Sequence, residues 1–331
     1  MLYLETHSND PEYNLAFEEY AFKYLPLETD EYVFLWQNGP SVIIGQNQNA
    51  WAEINQDYLK EENVKLVRRI TGGGAVYHDL GNLNFSFVTK DRGTGKIDFK
   101  EYYIPIVNAL RSLGVPAELS GRNDVTAEGK KLCGASQSIY KGRVLSNGCI
   151  LFDVDLSALS KALKVRPEKL KSKGIASVRA RVSNIKPFIP ETSMETFKER
   201  LLEEIFLQKG EKPKEYVLSK EELAGVKKIY DERFGRWEWN YGKSPKGEYR
   251  KVQKFPFGLL EVYMNVSKGK IADIQILGDF FGTENVADIE KALSGEAYKR
   301  EHVEEILGKF SLEDYFGKGC TANDILAMME L

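Results

Sequence analysis

The stretch Leu66-Val67-Arg68-Arg69-Ile70-Thr71-Gly72-Gly73-Gly74-Ala75-Val76-Tyr77-His78-Asp79-Leu80-Gly81-Asn82 decides the fold of this chain. Three consecutive glycines stand between two strand-like runs. A dinucleotide-binding turn needs G-x-G-x-x-G between a strand and a helix, and a P-loop needs G-x-x-x-x-G-K-[ST]. Neither is present: Gly74 runs into Ala75-Val76-Tyr77, which reads as strand. The glycines are therefore expected to line a loop between strands of an antiparallel or mixed sheet. Backbone N–H groups left bare by glycine, beside two arginines, suit a small anionic ligand such as a carboxylate or phosphate. A bulged turn with no ligand is the plain alternative.

Outward from the loop, residues 64–68 read as a strand that follows a short helix near 55–62. Residues 82–88 alternate, with Leu83, Phe85 and Phe87 on one face and Asn82, Asn84 and Ser86 on the other, the period of a strand. Asn9-Asp10-Pro11 reads as a helix start, a capping side chain followed by proline at the first helical position. Leu15, Ala16, Glu19, Tyr20, Phe22 and Lys23 continue that helix. Residues 31–37 and 40–45 are expected as a strand pair around the hairpin signal Asn38-Gly39. A helix over 98–113 ends at Gly114, glycine-spiced strands run from 117 to 153, and 155–233 turn mainly helical.

A chain of 331 residues is long for one core. The polar, breaker-rich segment at 240–247 is the expected boundary. Beyond it, three strands (248–254, 259–266, 271–277) precede helical segments around 285–293, 300–309 and 321–331. The expected architecture is α/β (α+β): a large domain over 1–243 with a mixed β-sheet flanked by helices, and a small α+β domain over 248–331.

Composition closes off several function classes. Lys+Arg of 46 against Asp+Glu of 49 leaves no basic excess, so a broad nucleic-acid footprint is not expected. No run approaches the roughly 18 apolar residues of a membrane span, and the amino terminus lacks a basic region followed by an apolar one. Cys133, Cys149 and Cys320 are odd in number and widely spaced, which suits reduced thiols in a cytoplasm. With three histidines, a His-rich metal centre is not expected.

Three further segments give the loop its context: Gly121-Arg122-Asn123-Asp124-Val125, Glu128-Gly129-Lys130-Lys131-Leu132-Cys133-Gly134-Ala135-Ser136, and Gly174-Ile175-Ala176-Ser177-Val178-Arg179-Ala180-Arg181-Val182-Ser183-Asn184. Together with RR-x-[ST]-GGGAV-[FY]-HDLGN, they make nearly the whole chain resemble the lipoate–protein ligases of the two-domain bacterial type. Biotin ligases and octanoyltransferases are related in the catalytic-domain fold.

The resemblance implies a reaction in two steps. Lipoate carboxylate attacks the α-phosphorus of ATP, giving lipoyl-AMP and pyrophosphate. A lysine of an acceptor lipoyl domain then takes the lipoyl group. Two anions meet in the first step, so a fixed cation and Mg²⁺ are needed to offset their repulsion.

By resemblance, Lys131 touches both the lipoyl carbonyl and the phosphate, and Asp124 orients Lys131 or the incoming amine; an Asx-turn is the plain reading of Asp124. Arg69, the backbone of Gly74, Ala75, Val76 and Tyr77, Asn123 and Arg179 are implied at the nucleotide. Gly73, His78, Trp36 and Phe17 are implied at the lipoyl pocket, although an aromatic on a strand or helix commonly belongs to the core. Arg68 reads equally as a solvated charge at a strand end. Gly174, Ser177 and Val178 belong to the implied adenylate lid, which shields the anhydride from water. Metal ligands are not implied.

Two positions depart from the family pattern: Asn147 stands where relatives often carry histidine, and Thr71 replaces a common serine while keeping the hydroxyl. The implied acceptors are lipoyl domains of 2-oxoacid dehydrogenase E2 subunits, the glycine-cleavage H protein, or both. A monomer in the cytoplasm is expected. The competing readings are an ATP-independent octanoyl or lipoyl transferase working through a cysteine thioester, and a non-catalytic lipoate-binding protein.

Overall fold

A computed structural model describes residues 1–27, 31–91, 100–121, 124–164, 182–241 and 249–331. Among the described residues, a seven-stranded sheet runs in the order β1 (Leu2–Leu4), β2 (Tyr32–Trp36), β6 (Asn82–Lys90), β10 (Arg143–Leu151), β9 (Lys130–Tyr140), β8 (Asp124–Ala127) and β7 (Glu118–Ser120). β1 and β2 are parallel and the remaining neighbours antiparallel, so the sheet is mixed. A second sheet has β3 (Ser41–Ile44) between β4 (Lys65–Arg68), parallel to it, and β5 (Val76–His78), antiparallel. The glycine loop leaves β4 and enters β5, a link between strands as expected.

The hairpin expected around Asn38-Gly39 does not form. β2 pairs in the large sheet and β3 in the small one. Tertiary partners take over the turn residues: Gly39 N–H donates to Asn9 O at 2.8 Å, and the buried Asn38 accepts from Asn14 Nδ2 at 3.0 Å. Asn-Gly thus marks a crossing between sheets, where a buried side-chain network outweighs the local turn preference.

Asp10 caps the first helix, Pro11–Tyr24, accepting from Glu12 N at 3.1 Å with Pro11 at its start. The helix packs against the helix Lys220–Ile229 and lies over β4, β6 and β10. β6 carries the expected alternation, with Leu83, Phe85 and Phe87 in the main core. Its opposite face is not solvated, because Asn82, Asn84 and Ser86 are all buried. A polar face hidden from water needs partners or a ligand.

The helix Lys100–Ser112 closes the other side, and Gly114 follows it with φ of +92°, which glycine adopts freely. From residue 249 on, β11 (Tyr249–Phe255), β12 (Gly258–Ser267) and β13 (Lys270–Gly278) form an antiparallel meander around its own apolar core. The helices Ala287–Leu293, Arg300–Leu307 and Ala322–Met328 complete it, together with Leu312–Phe316, a short helix not expected from the sequence. Residues 242–248, on which the expected boundary falls, lie outside the described residues. No described helix is long and apolar enough to cross a membrane.

Candidate active site

A cavity of about 150 Å³ opens where the glycine loop, β9, β10 and the first helix meet. Of the residues expected in the site, Trp36, Arg69, Gly73, Gly74, Ala75, Val76, His78 and Lys131 line it. The sequence reading did not single out Leu15, Ser136 and Asn84 for the site, and these also line it, with Asn147 and Phe281. Phe17 takes another place: it is buried in the core with its ring edge-on to Phe34, two residues beyond Leu15, which faces the pocket. The Tyr77 side chain is buried in the core cluster that holds Val42 and Ile44, and it does not line the cavity. Asn123, Gly174, Ser177, Val178 and Arg179 lie outside the described residues.

The three glycines have different reasons to be bare. A Cβ on Gly72 would stand 2.6 Å from Phe280 O, and one on Gly73 would stand 2.8 Å from the Phe281 ring. Gly73 also has φ of +94°. Both are thus needed for the small domain to press its Phe280-Phe281 corner onto the loop, an approach a side chain would block. A Cβ on Gly74 meets nothing within 4 Å. Only there is the open space that a ligand could use. Gly74→Ala is accordingly expected to leave the thermal midpoint within about 2 °C, as no contact is displaced, while raising the KM for lipoate or ATP severalfold; an unchanged KM for both in steady-state assays would remove Gly74 from the site.

Arg69 is buried, and its guanidinium is turned onto the loop itself. Nε donates to Thr71 Oγ1 at 3.1 Å, Nη1 to Ile43 O at 3.2 Å, and Nη2 to Gly72 O at 2.6 Å and Gly74 O at 2.9 Å. Burial lowers its pKa to about 10, so it stays charged at neutral pH. Arg69 therefore shapes the loop and sets a positive charge behind it.

Arg68, open to reading as a solvated charge, is fully buried. Its guanidinium donates to Gly45 O, Gln46 O and Gln48 O at 3.1, 3.1 and 2.6 Å, and to Trp239 O and Asn240 O at 3.0 and 3.2 Å. Five carbonyl dipoles take the place of a counter-ion.

Lys131 reaches the cavity because of a β-bulge. Val125 pairs with Cys133, but Thr126 pairs with Lys131, leaving Leu132 as the extra residue of β9. A regular register would turn Lys131 and Gly134 to opposite faces; one inserted residue brings them to the same one. The lysine then lies over Gly134, whose absent Cβ would stand 2.6 Å from Nζ. Nζ bonds Asp124 Oδ1 at 2.7 Å, and Asp124 pairs in register with Gly134. Cation and carboxylate thus sit together, about one third exposed, beside a slot lined mostly by apolar groups.

His78 accepts at Nδ1 from Asn38 Nδ2 at 3.1 Å, an orientation fixed by Asn14 bonding the Asn38 oxygen. The proton is thereby placed on Nε2, a buried atom without a partner among the described residues. Burial, aided by the Arg69 charge, lowers the pKa to about 3. The ring is a neutral wall donor, not a base that titrates near neutrality.

Glu18 was not singled out in the sequence, yet it is completely buried behind the cavity. Burial raises its carboxyl from 4.5 to about 7; bonds from Ser86 and Asn147 and the charge of Arg69 pull it down, and Glu19 adds a smaller rise. The folded state binds the proton more tightly than the unfolded chain, so this group's contribution to stability falls as pH rises from about 4.5 through 7. A signal was present: Asn14 and Glu18 are four residues apart on the same helical face as Leu15, polar groups where a core is expected.

The three cysteines are free and buried. Burial pushes the Cys133 and Cys149 thiols up, against nucleophilic use. Cys149 lines the cavity, whereas Cys133 points to the core. Cys133→Ser is expected to keep ligation within about threefold of the wild type, a small loss typical of a packing residue. Abolished activity with the fold intact, followed by acceptor mass spectrometry, would favour a thioester mechanism.

The family model of the lipoyl protein ligase A/B catalytic domain matches residues 10–206, and that of the bacterial lipoate protein ligase C-terminus matches 244–329. Lipoate-protein ligase LplJ of Bacillus subtilis (strain 168) is 44% identical over 333 residues, covering 99% of this chain and 100% of the relative. The structure of P. falciparum LipL1 in complex with lipoate is similar at a TM-score of 0.81 and 28% identity, over 100% of this chain and 99% of that one. A lipoate-protein ligase A bound with ATP gives a TM-score of 0.63 at 30% identity, over 73% of this chain and 98% of that one. With both family matches in chain order and a relative this similar over its whole length, the chain belongs to the lipoate–protein ligases.

Proposed function

We propose that the cavity takes the lipoyl tail between Trp36, Val76 and the neutral His78, and that Lys131 binds the lipoate carboxylate at its mouth. The observation that carries this reading is the Lys131 ammonium, bonded to Asp124 at 2.7 Å, beside a slot lined mostly by apolar groups. A lipoate carboxylate oxygen attacks the α-phosphorus of ATP there, the bond from that phosphorus to the β-phosphate bridge breaks, and pyrophosphate leaves. The acceptor lysine nitrogen next attacks the acyl carbon, AMP departs, and the amine loses a proton. Lys131 lowers the repulsion of the first step and withdraws charge from the acyl oxygen in the second. Asp124 orients the ammonium and is placed to receive the amine's proton.

The Gly74–Tyr77 backbone and Asn123 stand toward the nucleotide in this reading, with Gly174, Ser177, Val178 and Arg179 as the lid over the adenylate. Mg²⁺ comes with the triphosphate as substrate. Mg²⁺ commonly keeps phosphates and waters as ligands in such a role. The proposed acceptors are lipoyl domains of E2 subunits or the H protein, met in the cytoplasm by a monomeric ligase.

The test is incubation with ATP, Mg²⁺ and lipoate. Pyrophosphate should appear without acceptor, and a lipoyl mass shift on one lysine when a lipoyl domain is added. Lipoylation that proceeds without ATP would overturn the adenylation route in favour of acyl transfer.

A further inference from the structure

We propose that Glu18, which does not itself line the cavity, is a positioning residue that sets the direction of two buried hydrogen-bond chains forming the cavity wall. The proposal rests on reading that cavity as the lipoyl pocket.

The first chain begins at Arg69, whose Nε donates to Thr71 Oγ1 at 3.1 Å. Thr71 Oγ1 and Ser136 Oγ are 2.7 Å apart, Ser136 Oγ donates to Asn147 Oδ1 at 2.5 Å, and Asn147 Nδ2 donates to Glu18 Oε1 at 2.8 Å. The second chain is shorter: Trp36 Nε1 donates to Ser86 Oγ at 3.0 Å, and Ser86 Oγ donates to the same Glu18 oxygen at 2.6 Å.

Counting protons leaves one arrangement. Guanidinium and indole only donate, and Glu18 Oε1, which takes both bonds, accepts whether the group is a carboxylate or carries its proton on Oε2. Glu18 therefore draws the Asn147 amide nitrogen toward itself and turns its oxygen to Ser136. The single Ser136 proton goes to that oxygen, so Ser136 accepts from Thr71, and Thr71 in turn accepts from Arg69. A positive end and a negative end thus orient every member between them. The hydroxyl protons of Thr71, Ser136 and Ser86 are all consumed inside the wall. An apolar acyl chain passing Ser136 and Trp36 leaves neither that hydroxyl nor that indole N–H stranded, which would otherwise cost binding energy.

A glutamine at position 18 removes this constraint. Its NH₂ can take the place of Oε1; Asn147 then flips to accept from it and presents its own NH₂ to Ser136, and the Ser86 hydroxyl loses the acceptor of its proton. The reversed chain meets the Arg69 N–H head-on at Thr71. The cost falls on the wall that touches the tail rather than on the nucleotide side.

Glu18→Gln is therefore expected to raise the lipoate KM about tenfold, within the range for a buried hydrogen bond left unmade, with the ATP KM within about threefold. The thermal midpoint should be no lower, because a buried charge has been removed; a merely structural role would lower it. A double-mutant cycle with Thr71→Val, read on lipoate KM, gives the second arm. Thr71 touches Ser136 and Arg69 but is three hydrogen bonds from Glu18, so a joint effect well below the product of the single effects supports the relay. Multiplicative effects, or lipoate and ATP KM rising together, overturn it. Should Glu18→Gln fail to fold, Asn147→Ala detaches the chain with Glu18 in place and is expected to give the same selective rise; its absence also overturns the proposal. Trp36→Ala separates the two readings. If lipoate KM responds to Trp36→Ala but not to Glu18→Gln, the relay falls and the pocket stands; if neither moves it, the pocket assignment falls as well.

Discussion

Lys131→Ala is expected to lose lipoate-dependent pyrophosphate release by about 10²–10³-fold, the scale for removing one preorganised charge stabiliser from a reacting centre. The fold should survive. Lys131 and Asp124 are 37% and 34% exposed, so their ion pair contributes about 1 kcal/mol or less to stability. A melting curve within about 2 °C of the wild type would confirm that the loss is chemical. Arginine should not rescue the position, since the ammonium passes closely over Gly134, where a planar guanidinium lacks room for its fork. Single-turnover transfer from supplied lipoyl-AMP should also slow, because the same cation serves both steps. Near-normal pyrophosphate release by the alanine variant would sink the assignment of Lys131.

Arg68→Met has the opposite signature, with stability lost first and activity lost as a consequence. Removing the guanidinium strands carbonyls of Gly45, Gln46, Gln48, Trp239 and Asn240, most of them buried. Each unmade buried bond costs about 1–3 kcal/mol, and partial relaxation leaves an expected total of about 4 kcal/mol. That is a large part of the roughly 5–15 kcal/mol that holds a typical domain. The damage should spread outward, because the 45–49 turn carries contacts to the small domain: Asn47 O accepts from Gly278 N at 2.9 Å, and Asn49 Nδ2 donates to the Tyr263 hydroxyl at 3.4 Å. Arg68→Lys should restore little, as one ammonium cannot span carbonyls on both sides of the strand. Urea unfolding of both variants decides it; a loss below about 1 kcal/mol in the methionine variant would mean water or side chains satisfy the carbonyls.

The two neighbouring arginines show where sequence reading ran out. Both look alike on paper, and the motif drew attention to Arg69. In the fold each is buried, one knitting the glycine loop and the other tying three backbone segments together. The alternation of β6 was legible, but not that its polar face, Asn82, Asn84 and Ser86, is buried and forms the wall behind the pocket. Phe17 and Leu15 exchange roles because a helix turns by about 100° per residue, and two positions decide between core and cavity. Asn38-Gly39 carried a sound local hairpin signal that a buried network of Asn14, Asn38 and His78 overruled.

Much was nonetheless written in the residues themselves. Asp10-Pro11 starts a helix, and glycines bare the backbone between two strands. These follow from backbone sterics and side-chain chemistry, which act over a few residues. Tertiary structure alone decided that only Gly74 of the triple glycine faces open space, since Gly72 and Gly73 are filled by Phe280 and Phe281 from some 200 residues away. It also decided, through one inserted residue in β9, that Lys131 faces the cavity, and through Glu18 which way the wall's protons point. Burial and hydrogen-bond direction depend on what packing sets opposite a residue, and periodicity along the chain carries no record of that partner.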